Sequence, residues 1–168
     1  MVESGQYKFA PELETEAWIN TPNPLCLAEL KGKVVVIHAF QMLCPGCVSQ
    51  GIPQAKAIHE IYAHEDVQVI GLHTVFEHHE VMNIDVLKAF VGENKIPFPI
   101  GIDSPASARA IPLTMDRYQM QGTPTLILID KHRQIRLSHF GQIHDMQVAK
   151  FISSMLAENY EPSLTKSS

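Results

Sequence analysis

The stretch that most constrains this chain is VVVIHAFQMLCPGC, Val34 to Cys47, where two cysteines two residues apart follow a run of strand-forming residues. Val34 to Phe40 is β-branched and almost continuously apolar, the pattern of a central strand covered on both faces. LKGK, Leu30 to Lys33, supplies a glycine turn into it. Beyond the cysteines, Ile52, Ala55, Ile58 and Tyr62 recur at helical spacing, so a helix is expected from near Pro45 to near His64, kinked at Pro53. A strand passing directly into a helix leaves Cys44 at the helix N-terminal edge. There, unpaired backbone N–H groups and the positive end of the helix dipole favour a thiolate. Pro45 suits the first helical position, where its missing N–H costs nothing and its fixed φ is already helical. Cys47, one turn on and on the same face, is within reach of the Cys44 sulfur and more enclosed.

Three readings of the pair stay open on these residues: a redox couple, half of a metal site, or two small apolar side chains that happen to be neighbours. As a couple, the Cys44 thiolate attacks a disulfide, a mixed disulfide forms, and Cys47 displaces the reduced partner and leaves a Cys44–Cys47 bond. A zinc site needs two further ligands; His38, His73, His78 and His79 are available, yet no second CxxC and no HxxxH accompanies the pair. Three cysteines in all leave Cys26 over, a poor basis for a disulfide-stapled secreted fold, and in the apolar context LCL it reads as a small buried side chain.

The remaining chain frames this motif. Further strands are expected at Val67 to Val75, Phe98 to Asp103, Pro124 to Asp130 and Gln134 to Phe140. The last two are separated only by Lys131, His132 and Arg133, short enough to demand an antiparallel hairpin. One helix should carry Ile84, Leu87, Phe90 and Val91 on its buried face, and a closing helix should carry Val148, Phe151, Ile152, Met155 and Leu156 behind Asp145 as N-cap. This is an α/β pattern: a mixed central sheet flanked by helices on both faces. With 168 residues, 45% hydrophobic, and no repeat or dividing linker, a single domain 1–168 is expected, with mobile ends at about Met1 to Gln6 and Glu161 to Ser168.

Net charge of -5, from 13 Lys+Arg against 18 Asp+Glu, gives no reason to expect nucleic acid or an anionic membrane as partner. The start MVESGQYKFAPELE lacks the basic flank and apolar stretch of a secretory leader, and no apolar run is long enough to cross a bilayer, so a cytoplasmic protein is expected.

The order strand, Cys44-Pro45-Gly46-Cys47, helix, strand, helix, strand, then GTPT (Gly122 to Thr125) opening a hairpin, resembles the thioredoxin superfamily. It is most like the TlpA/ResA-type thiol-disulfide oxidoreductases, which carry an N-terminal extension and a central βα insertion. The opening Trp18 to Phe40 is also similar to the thioredoxin-like domain of NHL-repeat proteins. The resemblance spans about Trp18 to Glu158, the expected core of the domain.

The resemblance implies that Cys44 is the nucleophile, Cys47 the resolving cysteine, and Pro124 a cis-proline that sets the Thr123 backbone beside Cys44 to pair with an extended substrate strand. His38, six residues before Cys44, falls where relatives keep a buried acid or amide, which would make it a relay for the Cys47 proton or a core histidine. Glu77 falls where the ResA-type branch has a glutamate near the pair; burial would let it serve as base for the resolving thiol, and without burial it is a solvated loop residue. His78, His79 and Glu80 read as surface. No cofactor or metal is implied; the implied partners are a protein disulfide or dithiol and an upstream reductant.

Three positions depart from the family. Leu43 replaces the usual tryptophan before the first cysteine, Pro45-Gly46 reverses the dipeptide order of thioredoxin, and Pro53 comes nine positions after Cys44, one later than usual, which implies an extra residue in the helix. Two other activities share the fold. A peroxiredoxin-like peroxidase wants Thr or Ser three residues before its cysteine together with an arginine, whereas Gln41 stands there and Arg109 or Arg117 would not suffice. A non-catalytic binding module would need something that disables the pair.

Overall fold

The computed structural model describes residues 6–107 and 110–162; most of the two chain ends expected to be mobile, and Arg109, lie outside the described residues. A six-stranded mixed sheet forms the centre, in the order β1-β4-β3-β2-β5-β6. The strands are β1 (Thr15–Ile19), β2 (Val34–Phe40), β3 (Val67–His73), β4 (Ile100–Asp103), β5 (Thr125–Ile129) and β6 (Ile135–Phe140). β2 runs parallel to β3 and antiparallel to β5, and every one of its residues is buried, which is why its sequence shows no alternation. Gly32 makes the turn into β2 at φ 93°, a conformation that L side chains rarely adopt.

Alternate residues of β2 feed two cores. Val34, Val36 and Phe40 pack beneath α1 (Ile52–Ile61), α2 (Ile84–Glu93) and α4 (Asp145–Leu156), through Ile52, Ala55, Leu87, Val91, Val148 and Ile152. Val35, Ile37 and Ala39 meet Ala10, Leu13, Leu27, Met115 and Tyr118, so the opposite face is covered by the N-terminal segment, a 3₁₀ turn at Leu27–Leu30 and the short α3 (Leu113–Arg117). The expected mixed sheet with helices on both faces is present, and α2 and β4 form the central insertion.

Four expectations need correction. The fold begins well before Trp18: Ile135 N–H donates to the Lys8 carbonyl and Ala10 N–H to that of Arg133, and Ala10 is fully buried. β1 and α3 were not anticipated; β1 is half-buried throughout apart from the exposed Glu16, so it gives no strong apolar run, and α3 is only five residues long. The helix expected from near Pro45 to near His64 is not one regular α-helix: it runs from Pro45 through a π turn at Cys47–Gly51 into α1, which ends at Ile61. A π turn holds one more residue than an α turn, which accommodates the late Pro53. Lastly, α4 is capped by His144, whose Nδ1 accepts from Met146 N–H at 3.2 Å. Asp145 is occupied elsewhere, accepting from Gln54 Nε2 at 2.7 Å.

Candidate active site

β2 ends at Phe40, and three further residues bring Cys44 to the start of the helix. Its backbone N–H donates to the Gln41 carbonyl at 3.2 Å, and its own carbonyl accepts from Val48 N–H at 3.1 Å, the first helical bond. The Cys44 sulfur accepts from Cys47 N–H at 3.4 Å, so the side chain caps the helix as a serine would. The sulfur thus faces the N-terminal amides of the helix. On its other side lies the Thr123 carbonyl, 3.5 Å away.

Thr123–Pro124 is a cis peptide, as the resemblance implied, and Pro124 Cδ lies 3.4 Å from where a Cβ on Gly46 would stand. Pro45 lines the cleft beside Cys44. Gln41 is a feature the sequence reading missed. Buried, it donates from Nε2 to Thr123 Oγ1 at 3.2 Å and accepts at Oε1 from Phe76 N–H at 3.2 Å, tying the cis-proline loop to the loop that follows β3. The signal was present as a lone amide inside the apolar run HAFQML.

Cys47 is fully buried. Burial pushes its thiol from 9.0 to about 12; a hydrogen bond to Cys44 and the charge there add to this, while the Gln41 backbone and the Thr123 hydroxyl act the other way. The two cysteines therefore differ in kind: one opens on a cleft at a helix end and its neighbour is enclosed and held protonated. All three cysteines are thiols. Cys26 is half-buried rather than buried, its Sγ donating to Glu12 Oε2 at 3.3 Å.

The cleft over Cys44 has a volume of about 330 Å³ and is walled by Leu43, Phe76, Met82, Gln121 and Phe140. Leu43, which replaces the tryptophan usual in the family, is 59% exposed at its edge. Glu77 also lines the cleft but is exposed, so the burial that would fit it for base chemistry is absent. His78, His79 and Glu80 are exposed as expected.

His38 lies beneath the motif helix, 3% exposed, its ring stacked on Phe40 at 5.8 Å. Burial lowers it from 6.5 to about 4, and its Nε2 has no hydrogen-bond partner. A Cβ on Gly51 would come 2.2 Å from His38 Cε1, so this histidine requires glycine in the π turn above it. The histidine is neither the hydrogen-bonded core residue expected nor one joined to Cys47 by a hydrogen bond. Its ring borders a cavity of about 20 Å³ that also touches Gln50, Gln54 and Pro124.

The Redoxin family model matches residues 5–151. The chain belongs to the redoxin family. Among relatives, this redoxin is 29% identical over 156 residues to protein DipZ of Mycobacterium tuberculosis, covering 91% of this chain but 21% of DipZ, so it spans about a fifth of that relative's length. It is 26% identical over 132 residues to the thiol-disulfide oxidoreductase ResA of Halalkalibacterium halodurans, covering 79% of the chain and 68% of ResA. NHL repeat-containing protein 2 of Homo sapiens matches at 26% identity over 83% of the chain and 18% of that protein.

Among solved structures, a thioredoxin-like superfamily protein superposes with a TM-score of 0.89 at 49% identity, covering 91% of this chain and 99% of that one. A thiol-disulfide isomerase from Corynebacterium glutamicum gives 0.85 at 46% identity, covering 89% and 98%. The fold is thioredoxin-like and the likeness to ResA-type oxidoreductases is established. For the peroxidase alternative, Gln41 is already bonded to Thr123 and Phe76, and Arg117 is paired with Glu14 at 2.7 Å on α3.

Proposed function

We propose that this redoxin is a thiol-disulfide oxidoreductase whose Cys44–Cys47 dithiol exchanges electrons with disulfides of protein clients and is restored by an upstream reductant. The observation that carries this reading is the asymmetry of the pair. The Cys44 sulfur accepts from Cys47 N–H at the helix start and faces the Thr123 carbonyl, whereas the Cys47 thiol is fully buried and pushed up to about 12.

The steps follow from that arrangement. The Cys44 thiolate attacks one sulfur of the client disulfide; that S–S bond breaks and the other client sulfur leaves as a thiolate that takes up a proton. Cys47 then loses its proton, attacks Cys44, and releases the second client thiol. An extended client segment lies along the Thr123 backbone, its apolar side chains against Leu43, Phe76 and Phe140. Once the buried thiol must ionise, its proton has to leave an enclosed site. His38, neutral beneath the helix, is a positioning and relay candidate for that step, and the exposed Glu77 a weaker one.

The test is a trap. Reduced Cys47→Ser protein mixed with a disulfide-bonded peptide should accumulate a mixed disulfide at Cys44, while wild type releases dithiol peptide and ends as an intramolecular disulfide. If wild type leaves the peptide oxidised, the reading fails. Rapid oxidation of the pair by micromolar hydrogen peroxide, faster than by peptide disulfide, would favour the peroxidase instead.

A further inference from the structure

With Leu43 in place of the tryptophan usual beside the first cysteine, the cleft over Cys44 lacks a ring on that side. A ring reaches the same cleft from a distant part of the chain. Phe140, the last residue of β6, lines it and is 50% exposed, whereas Phe40, Leu128 and Ile129 of the neighbouring strands are buried. An aromatic face left in water forfeits the free energy that its burial would supply.

Phe140 is held in place by its backbone and by what lies under its ring. It is the register partner of Thr125 in the β5–β6 ladder, and the next residue, Gly141, donates its N–H to the Pro124 carbonyl at 2.8 Å. The ring is thus anchored to the cis-proline segment. Beneath it is Gly122, where a Cβ would lie 3.0 Å from Phe140 Cε2 and 3.2 Å from Cζ. Gly122 is buried and its φ is not positive, so the backbone there does not require glycine. The ring does, because an alanine would push it off its seat.

Chemistry fixes where a client must lie. In the mixed disulfide its cysteine is bonded to Cys44, whose sulfur is 3.5 Å from the Thr123 carbonyl, and Thr123 follows Gly122 directly. A client segment extended along Thr123 therefore passes the Phe140 ring within about two residues of its own cysteine. The polar lining offers no competing anchor: Glu77, His78 and Gln121 are exposed, and the Gln41 amide is bonded to Thr123 Oγ1. A flat, half-exposed ring gains most from a second ring, stacked on it or meeting it edge to face.

We propose that Phe140 is a specificity-determining residue of the exchange reaction, its ring, seated on Gly122, being the platform for an aromatic side chain that flanks the client cysteine. This rests on the oxidoreductase reading and names the class of client it takes, polypeptides with Phe, Tyr or Trp beside the disulfide.

Peptide disulfides that carry either Phe or Leu beside the cysteine, and are otherwise identical, are reduced by the wild type, by Phe140→Leu and by Gly122→Ala. In the wild type kcat/KM for the Phe peptide should exceed that for the Leu peptide by about 2- to 10-fold, the worth of one aromatic pair. The ratio should fall to near unity in Phe140→Leu. It should fall also in Gly122→Ala, which keeps the phenylalanine but displaces its ring. In a second arm, the cysteine of the Phe peptide is activated as its thiopyridyl disulfide and coupled to Cys44 of the Cys47→Ser protein. The Cys44 thiolate attacks the peptide sulfur, that S–S bond breaks, and the thiopyridine leaves. Nuclear Overhauser contacts should then join the peptide ring to the ring protons of Phe140.

A wild-type ratio near unity, a preference that survives in Phe140→Leu, or a trapped peptide whose ring makes no contact with Phe140 overturns the platform. If the wild type reduces neither peptide while the trapped ring does lie on Phe140, the platform stands and the oxidoreductase reading falls.

Discussion

Replacing Gly51 with alanine isolates the contact between the motif helix and the histidine beneath it. Gly51 has helical φ and ψ, so alanine would ordinarily stabilise by about 1 kcal/mol through helix propensity. Here its Cβ would fall 2.2 Å from His38 Cε1 and 2.6 Å from Nε2. The ring cannot swing aside cheaply: it is buried against Phe40, and the adjoining cavity of about 20 Å³ holds little more than one water. Overpacking of this kind costs about 1–3 kcal/mol, and so close an approach belongs at the upper end. Gly51→Ala should therefore destabilise by about 2 kcal/mol net. Made on a His38→Ala background, the same change should stabilise by about 1 kcal/mol, a coupling of about 3 kcal/mol. Urea unfolding of the four reduced proteins gives the cycle directly. Additive effects, with Gly51→Ala keeping the same sign on both backgrounds, would refute the packing argument.

Acid should destabilise the fold through His38 and His73. Both ionise near 6.5 when unfolded and near 4 when folded, so the unfolded chain binds more protons between those values. Stability is then complete above about pH 6.5 and is lost as pH falls towards about 4, by at most roughly 3 kcal/mol per histidine. His73→Phe should flatten a plot of urea midpoint against pH, and an unchanged slope would argue against burial of a neutral ring. Gln41→Leu removes the clamp between Thr123 and Phe76 and leaves the Phe76 N–H without its acceptor; it should cost about 1–3 kcal/mol and slow disulfide exchange several-fold, read by peptide-reduction kinetics. Asp103→Ala deprives the backbone at the start of α3 of two bonds and Thr74 of one, and should lower the thermal midpoint by more than the Gln41 change does.

Much of this fold was legible because its central features are local. Seven residues buried without exception announce β2, a connection of only five residues, 130–134, makes the β5–β6 hairpin, and Asp130 closes that turn by accepting from His132 and Gln134 N–H at 2.9 Å each. The cysteine pair and Pro124 were visible as motifs, and the spacing to Pro53 foretold an additional residue that became the π turn. What stayed hidden depends on contacts far apart in sequence. β1 pairs with β4 across more than 80 residues, Gln41 reaches Thr123 across 82, and the demand for glycine at position 51 comes from a ring 13 positions earlier. Glu77 shows the converse: the position lines the cleft, while the side chain is exposed, as a solvated loop glutamate would be.

The central claim is that the two cysteines of the motif are unequal, with Cys44 the attacking sulfur and Cys47 enclosed. Limited alkylation of the reduced wild-type protein by iodoacetamide, at intervals from about pH 6 to about pH 10, with sites mapped by mass spectrometry, tests it most directly. The account predicts that Cys44 is modified throughout and Cys47 hardly at all, since its thiol titrates only near 12. Modification of Cys47 at a rate equal to or greater than that of Cys44 would contradict it.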